Sequence, residues 1–90
     1  MVPTSSPRNV NIFPNPAQDN LVIEINTNLF KELKVEVLNL LGQTILQKDF
    51  SLDPGINTQQ INLTDLQNGL YMIKLQSGKA IFTQKLVIKR

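Results

Sequence analysis

One segment of the sequence, Asn68-Gly69-Leu70-Tyr71-Met72-Ile73-Lys74-Leu75, sets the architecture of this chain. Tyr71, Ile73 and Leu75 recur at every second position, which is the pattern of a β-strand with one buried face. An Asn-Gly turn signal precedes the only tyrosine in the chain. This predicts a tyrosine corner, in which a tyrosine entering a late β-sandwich strand ties its hydroxyl back to the preceding loop. The alternative is a buried tyrosine in an ordinary strand. In both cases we expect Tyr71 to be largely buried in a central strand.

The rest of the chain adds further segments with strand patterns, separated by turn signals. The predicted strands are residues 10–12, 21–25, 34–37, 44–50, 57–63, 70–75 and 79–89. Pro14 and Pro16 make the first of them a kinked edge strand, and residues 29–33 are expected to form a helical turn or a loop. Turns are predicted at Gly42, Asp53-Pro54-Gly55 and Ser77-Gly78. Seven short strands with a turn signal roughly every 8 to 12 residues are typical of an all-β antiparallel β-sandwich.

Length and composition allow one small domain with its own core. Hydrophobic residues make up 41% of the 90 positions, which argues against disorder. The sequence contains no cysteine and no histidine, and this excludes disulfides, thiol nucleophiles and histidine bases or metal ligands. Residues 1–8 have the proline and serine content of a linker, and we expect Met1 to be a start residue added to a fragment of a longer protein. No signal peptide is expected, and the domain is assigned to residues 9–90.

Charge and hydropathy argue against two classes of partner. The formal charge of +2 comes from interspersed basic and acidic residues, and the four phenylalanines and one tyrosine are scattered. Nucleic-acid binders carry a clustered basic face with aromatic residues between the charges. The longest apolar run has only four residues, 70–73, whereas a membrane-spanning helix needs roughly 20. We therefore expect no nucleic-acid partner and no membrane span.

Catalytic and metal-binding patterns are weak. The aspartates lie in or beside predicted turns, where they hydrogen-bond the local backbone. Asn15, Asp19 and Asn20 approach a calcium loop only loosely, and the sequence leaves a glycosidase pair of glutamates open although no second domain forms a cleft. Without histidine no Ser-His-Asp arrangement exists. The residues therefore indicate a non-enzymatic domain with no catalytic residue, no metal site and no cofactor.

Four motifs, in this order, resemble those of the type A C-terminal sorting domain of proteins exported by the type IX (Por) secretion system of Bacteroidetes. The motif residues are Pro14, Asn15 and Pro16, then Asn39, Gly42 and Gln43, then Gly69 and Tyr71, and finally the basic strand from Lys85 to Arg90. The resemblance covers nearly the whole chain, from about Asn9 to Arg90. It implies a seven-stranded immunoglobulin-like sandwich, which agrees with the strand count reached from the residues alone.

The function implied by this resemblance is that of a sorting signal. Such a domain follows its cargo domain in the chain, passes through the periplasm and is recognised by outer-membrane components of the type IX translocon. A sortase-like cysteine endopeptidase then removes it in the preceding linker, and the cargo is either joined to lipopolysaccharide at the cell surface or released. The domain itself catalyses nothing. Two alternatives stay open, namely an adhesive or carbohydrate-binding module and an immunoglobulin-like spacer.

The residues expected to be read by the secretion machinery are Lys85, Lys89 and Arg90. An exposed basic end has little structural work to do, and unpaired amides of a terminal edge strand can accept an added strand from a receptor. The alternative is that the lysines only protect this edge against aggregation. The motif residues before them are expected to be mainly structural, because proline, glycine and asparagine set turns and Tyr71 packs.

Overall fold

The computed structural model describes residues 10–28 and 31–90, which form seven strands in two sheets. The strands are β1 (Val10–Phe13), β2 (Asn20–Thr27), β3 (Lys31–Leu38), β4 (Thr44–Leu52), β5 (Gly55–Asn62), β6 (Gly69–Ser77) and β7 (Ala80–Ile88). One sheet has the order β1-β2-β5 and the other β4-β3-β6-β7, with antiparallel pairing throughout. The predicted all-β antiparallel class is confirmed, and two sheets of three and four strands are consistent with the predicted sandwich. Residues 1–8, the predicted linker, lie outside the described residues.

The core consists of alternate residues from both sheets. The buried side chains are Ala17, Leu21, Ile23, Ile25, Leu33, Val35, Val37, Leu52, Ile61, Leu63, Ile73, Leu75, Leu86 and Ile88. Three alternate residues of β2 and three of β3 belong to this set, because successive side chains of a strand point to opposite faces. The cluster contains no buried polar or charged side chain within the described residues, so its stability comes from burial of apolar surface.

The strand that contains Tyr71 is central, as predicted. β6 lies between β3 and β7, and Ile73 and Leu75 are buried. Tyr71 shares their face and packs against the core, so most of its surface is buried as expected, although less completely than that of Ile73 and Leu75. The physical reason is its position near the start of β6, at one end of the sandwich, where fewer residues cover the ring.

Part of the segment expected to form a helical turn or a loop is instead strand. Lys31 begins β3 opposite Leu52, and Leu33 is buried opposite Phe50. The buried alternation of β3 therefore starts at Leu33. The charged residues Lys31 and Glu32 precede it, so the start of the strand is hard to recognise from the sequence. Residues 29 and 30 lie outside the described residues. No helix in the described part of the chain is long and apolar enough to cross a membrane.

Candidate functional site

The strand registers bring the four sequence motifs to one end of the sandwich. β3 ends at Leu38, which pairs with Met72 near the start of β6. Gly69 at the start of β6 pairs with Ile88 at the end of β7. In the other sheet β1 ends and β2 begins at the same end, since Ala17 between them forms a parallel bridge with Ile88. This region, residues 14–19, 39–43, 63–71 and 85–90, is termed the motif end.

The first motif covers the outer edge of the last strand. The Asn15 side chain donates from Nδ2 to the Lys85 carbonyl at 3.0 Å and accepts from the Val87 amide at 3.2 Å. Ala17 continues the pairing, donating its amide to the Val87 carbonyl at 2.7 Å and accepting from the Lys89 amide at 2.8 Å. The peptide bonds before Pro14 and Pro16 are both cis. The expectation of unpaired amides along the last strand is therefore wrong for residues 87 and 89.

Arg90 is held by the loop that precedes β6. Its Nη1 and Nη2 donate to the carbonyls of Leu66 and Leu63, each at 2.7 Å, and Nε donates to the Asp19 carboxylate at 2.7 Å. Its backbone amide donates to Asn68 Oδ1 at 3.3 Å. The expectation that the basic end has little structural work is wrong for Arg90, because its charge is directed into the fold.

The tyrosine corner is present. The Tyr71 hydroxyl donates to the Gln67 carbonyl at 2.5 Å, four residues upstream. A Cβ added to Gly69 would lie in ordinary contact with the Tyr71 ring, 3.8 Å from its nearest atom. The loop before β6 is thus fixed from two sides, by Tyr71 at Gln67 and by Arg90 at the carbonyls on either side of Asp65. The third and fourth motifs therefore hold the same loop in place.

The second motif builds a rigid turn between β3 and β4. Asn39 Oδ1 accepts from the amides of Leu41 and Gln43 at 2.9 and 3.0 Å, and its Nδ2 donates to Gln43 Oε1 at 2.8 Å. Two backbone bonds close the turn, and Gly42 adopts a φ of 87°, as predicted for this position. Leu40 and Leu41, at the tip, are 69% and 85% exposed. Sequence reasoning treated these leucines only as part of a turn and missed their exposure.

The three residues expected to contact the secretion machinery occupy different environments. Lys85 is exposed and pairs in register with Met72, on the face of the sheet that points away from the core. Lys89 is exposed just beyond β7, while Arg90 is held by the contacts described above. Lys85 and Lys89 are thus exposed charges that a partner can contact. Their recognition by the secretion machinery stays a prediction.

Two of the three residues weighed as calcium ligands have protein partners. Asn15 bonds to the backbone of β7 and Asp19 to the Arg90 guanidinium. Within residues 10–28 and 31–90 there is no group of three acidic side chains that would hold a metal ion. A carbohydrate-binding module would need a cluster of exposed aromatic side chains, whereas Phe50 and Phe82 pack against the core. Phe30 lies outside the described residues.

Comparison with known proteins gives two matches. The family model described as the secretion system C-terminal sorting domain matches residues 11–89. The chain is also similar to an endo-acting ulvan lyase of Formosa agariphila, with 31% identity over 81 residues. That alignment covers 89% of this chain and 15% of the lyase, so the chain spans less than a sixth of the length of this relative.

Proposed function

Because this chain belongs to the family of secretion system C-terminal sorting domains, we propose that it directs a cargo domain across the outer membrane through the type IX translocon. The cargo precedes it in the chain, and the pair crosses the periplasm before reaching the cell surface or the medium. The observation that carries the proposal is the family match over residues 11–89, nearly all of the described chain. The similarity to a small part of a much longer enzyme supports the role of an appended domain.

The later fate of the domain belongs to the same proposal. A sortase-like cysteine endopeptidase cleaves in the linker that precedes the domain of residues 9–90, and the cargo is then anchored to lipopolysaccharide or released. The domain acts as signal and substrate and performs no catalysis of its own. Its partners are the cargo, outer-membrane components of the translocon and the endopeptidase.

The sheet order supports an immunoglobulin-like classification of the sandwich. In such domains the first, second and fifth strands share one sheet, while the third, sixth and seventh share the other. β1, β2 and β5 follow this division on one side, and β3, β6 and β7 follow it on the other. Here β4 pairs beside β3, as the extra strand of variable-type domains does.

The test is a secretion assay in a bacterium that carries the type IX system. A folded reporter with a periplasmic export signal is fused to the N-terminus of the whole chain, and reporter activity is measured in the periplasm, on the cell surface and in the medium. We expect surface or medium delivery with this chain and periplasmic retention without it. Delivery that persists in a strain lacking the translocon would contradict the proposal.

The same assay also tests the predicted recognition residues, with variants that change recognition without preventing folding. Lys85→Glu and Lys89→Glu change exposed charges without removing a side-chain bond of the described residues, so both variants should fold. We expect the double variant to leave the reporter in the periplasm. Full delivery by the folded double variant would show that these lysines serve only to protect the edge.

A further inference from the structure

An apolar patch lies on the outer face of the four-stranded sheet, at the motif end. Leu38 pairs in register with Met72, and Leu70 pairs with Val87. Side chains directly opposite on neighbouring strands have Cβ atoms about 5 Å apart, so each pair is in contact range. Leu70 is 44% exposed, and the other three are half-buried without packing against the core. These four residues are termed the outer patch.

Two exposed leucines follow the outer patch residue Leu38 in the chain. The chain leaves β3 at Leu38 and reaches Leu40 and Leu41 within three residues, and their side chains are among the most exposed large apolar groups of the described chain. Five hydrogen bonds, all made by Asn39 with its neighbours, hold their backbone in one conformation. An exposed apolar group on a fixed backbone loses little conformational entropy on binding. The leucine tip is thus pre-organised for contact.

The ammonium of Lys85, unpaired within the described chain, borders the outer patch. Lys85 pairs in register with Met72 and is exposed. Within residues 10–28 and 31–90 its ammonium forms no ion pair, whereas the neighbouring Lys74 ammonium lies 3.8 Å from the Glu36 carboxylate. The patch is therefore flanked by a cation that can meet a carboxylate of a partner.

We propose that the outer patch and the leucine tip form a docking surface for a protein component of the secretion machinery. The partner segment presents apolar side chains to the patch and tip and a carboxylate to Lys85. This inference rests on the proposed function and adds the surface and the chemistry of the partner. Apolar anchors in the centre with a charge at the rim are the arrangement that dominates the affinity of protein interfaces.

Two other occupants fit the surface less well. A second copy packed face to face would bring two Lys85 ammonium groups into one apolar interface, and the Glu36 carboxylate on this face already has Lys74 and Thr44 as partners. An anionic lipid surface is bound by clusters of several basic residues, each contributing about 1 kcal/mol, whereas beside the patch Lys74 already faces the Glu36 carboxylate, and Lys85 and Lys89 are two isolated cations among the described residues. Charge complementarity therefore favours a protein segment that carries its own acidic side chain.

The experiment introduces a photo-crosslinking amino acid at position 41 or, as matched control, at position 56. Ile56 is 71% exposed and pairs with Asn26 at the opposite end of the sandwich. After irradiation of secreting cells, adducts are identified by mass spectrometry. In parallel the reporter assay compares Leu40→Ser/Leu41→Ser with Ile56→Ser/Ile81→Ser, after thermal melting shows that each variant is folded. Anionic vesicles and sedimentation velocity test the lipid and self-association alternatives.

We expect position 41, and not position 56, to crosslink to an outer-membrane protein of the machinery. Delivery by the tip variant should fall at least about tenfold, as for truncation of residues that dominate an interface, while the control variant keeps wild-type delivery. Full delivery by the folded tip variant would overturn the docking surface while leaving the proposed function intact. Failure of the unmodified chain to deliver would instead refute the proposed function. Dimerisation or vesicle binding that depends on Leu41 would also overturn the inference.

Discussion

The Arg90 guanidinium donates from Nε to the Asp19 carboxylate at 2.7 Å, and this contact joins two residues 71 positions apart in the chain. The two side chains keep 30% and 59% of their surface exposed, so the ion pair alone contributes less than about 1 kcal/mol. The larger contribution comes from the bonds of the same guanidinium to the carbonyls of Leu63 and Leu66. Arg90 therefore stabilises the motif end by bonding to several of its segments.

Arg90→Ala should lower the free energy of unfolding by about 2 to 3 kcal/mol, because two charge-assisted hydrogen bonds are lost together with the ion pair. Arg90→Lys should restore only part of this loss, since an ammonium lacks the planar fork of donors. Urea unfolding measures the difference. Lys89→Ala, the neighbouring exposed cation, is the control and should stay within about 0.5 kcal/mol of wild type. Equal midpoints for the two alanine variants would contradict a structural role for Arg90.

Tyr71→Phe should destabilise the domain by about 1 kcal/mol, the usual contribution of one hydrogen bond. Tyr71→Ala should remove about 2 to 4 kcal/mol, somewhat less than a fully buried aromatic residue contributes, because the ring is incompletely buried. Gln67→Ala is the matched control, since the hydroxyl bonds to the backbone carbonyl of that residue and keeps its acceptor. If wild type and Tyr71→Phe unfold at the same denaturant concentration, the corner bond contributes nothing to stability.

Asn39→Ala should loosen the turn that carries the leucine tip, with a loss of about 1 to 2 kcal/mol. The amides of Leu41 and Gln43 donate to Asn39 Oδ1, so their hydrogen exchange should become faster in this variant. Asn39→Asp keeps both acceptor bonds and should preserve their protection. Protection that is unchanged in Asn39→Ala would show that the backbone alone fixes the turn.

Asn15→Ala should uncover part of the outer edge of β7. The Val87 amide, which donates to Asn15 Oδ1, should exchange faster, and the stability should fall by about 1 to 2 kcal/mol. The Lys89 amide, bonded to Ala17, provides an internal reference close to the same strand. Asn15→Asp retains the acceptor for Val87 but loses the donor to the Lys85 carbonyl. Uniform protection of Val87 across the three proteins would refute the edge-covering role.

Local patterns predicted most of the fold. Period-two alternation located β2, β5 and β6, and turn signals located their connections. Leu33 was missed because Lys31 and Glu32 precede it and hide the start of the buried alternation. The degree of Tyr71 burial could not be predicted, because a repeat reports which face a side chain occupies, not how near it lies to the end of the sandwich.

The candidate site was less accessible to sequence reasoning. The partners of Arg90 are backbone carbonyls 24 and 27 residues away, and no residue pattern marks a carbonyl as an acceptor. Asn15 meets β7 across 70 residues, a contact set by the closure of the two sheets. The exposure of Leu40 and Leu41 was predictable from the sequence, since two leucines between Asn39 and Gly42 stand in a turn where polar residues are usual.

The parallel bridge between Ala17 and Ile88 has a mechanical consequence for a domain attached to a cargo through its first strand. Tension between the two termini pulls the Ala17 segment toward β1 and pulls β7 toward Arg90. Because these segments run parallel, the force acts along their axes in opposite directions. The bonds of Ala17 to Val87 and Lys89 are then loaded together in shear, and they do not break one at a time. Forced unfolding is governed by the unfolding rate, so this pairing should slow unfolding of the domain when its two ends are pulled apart.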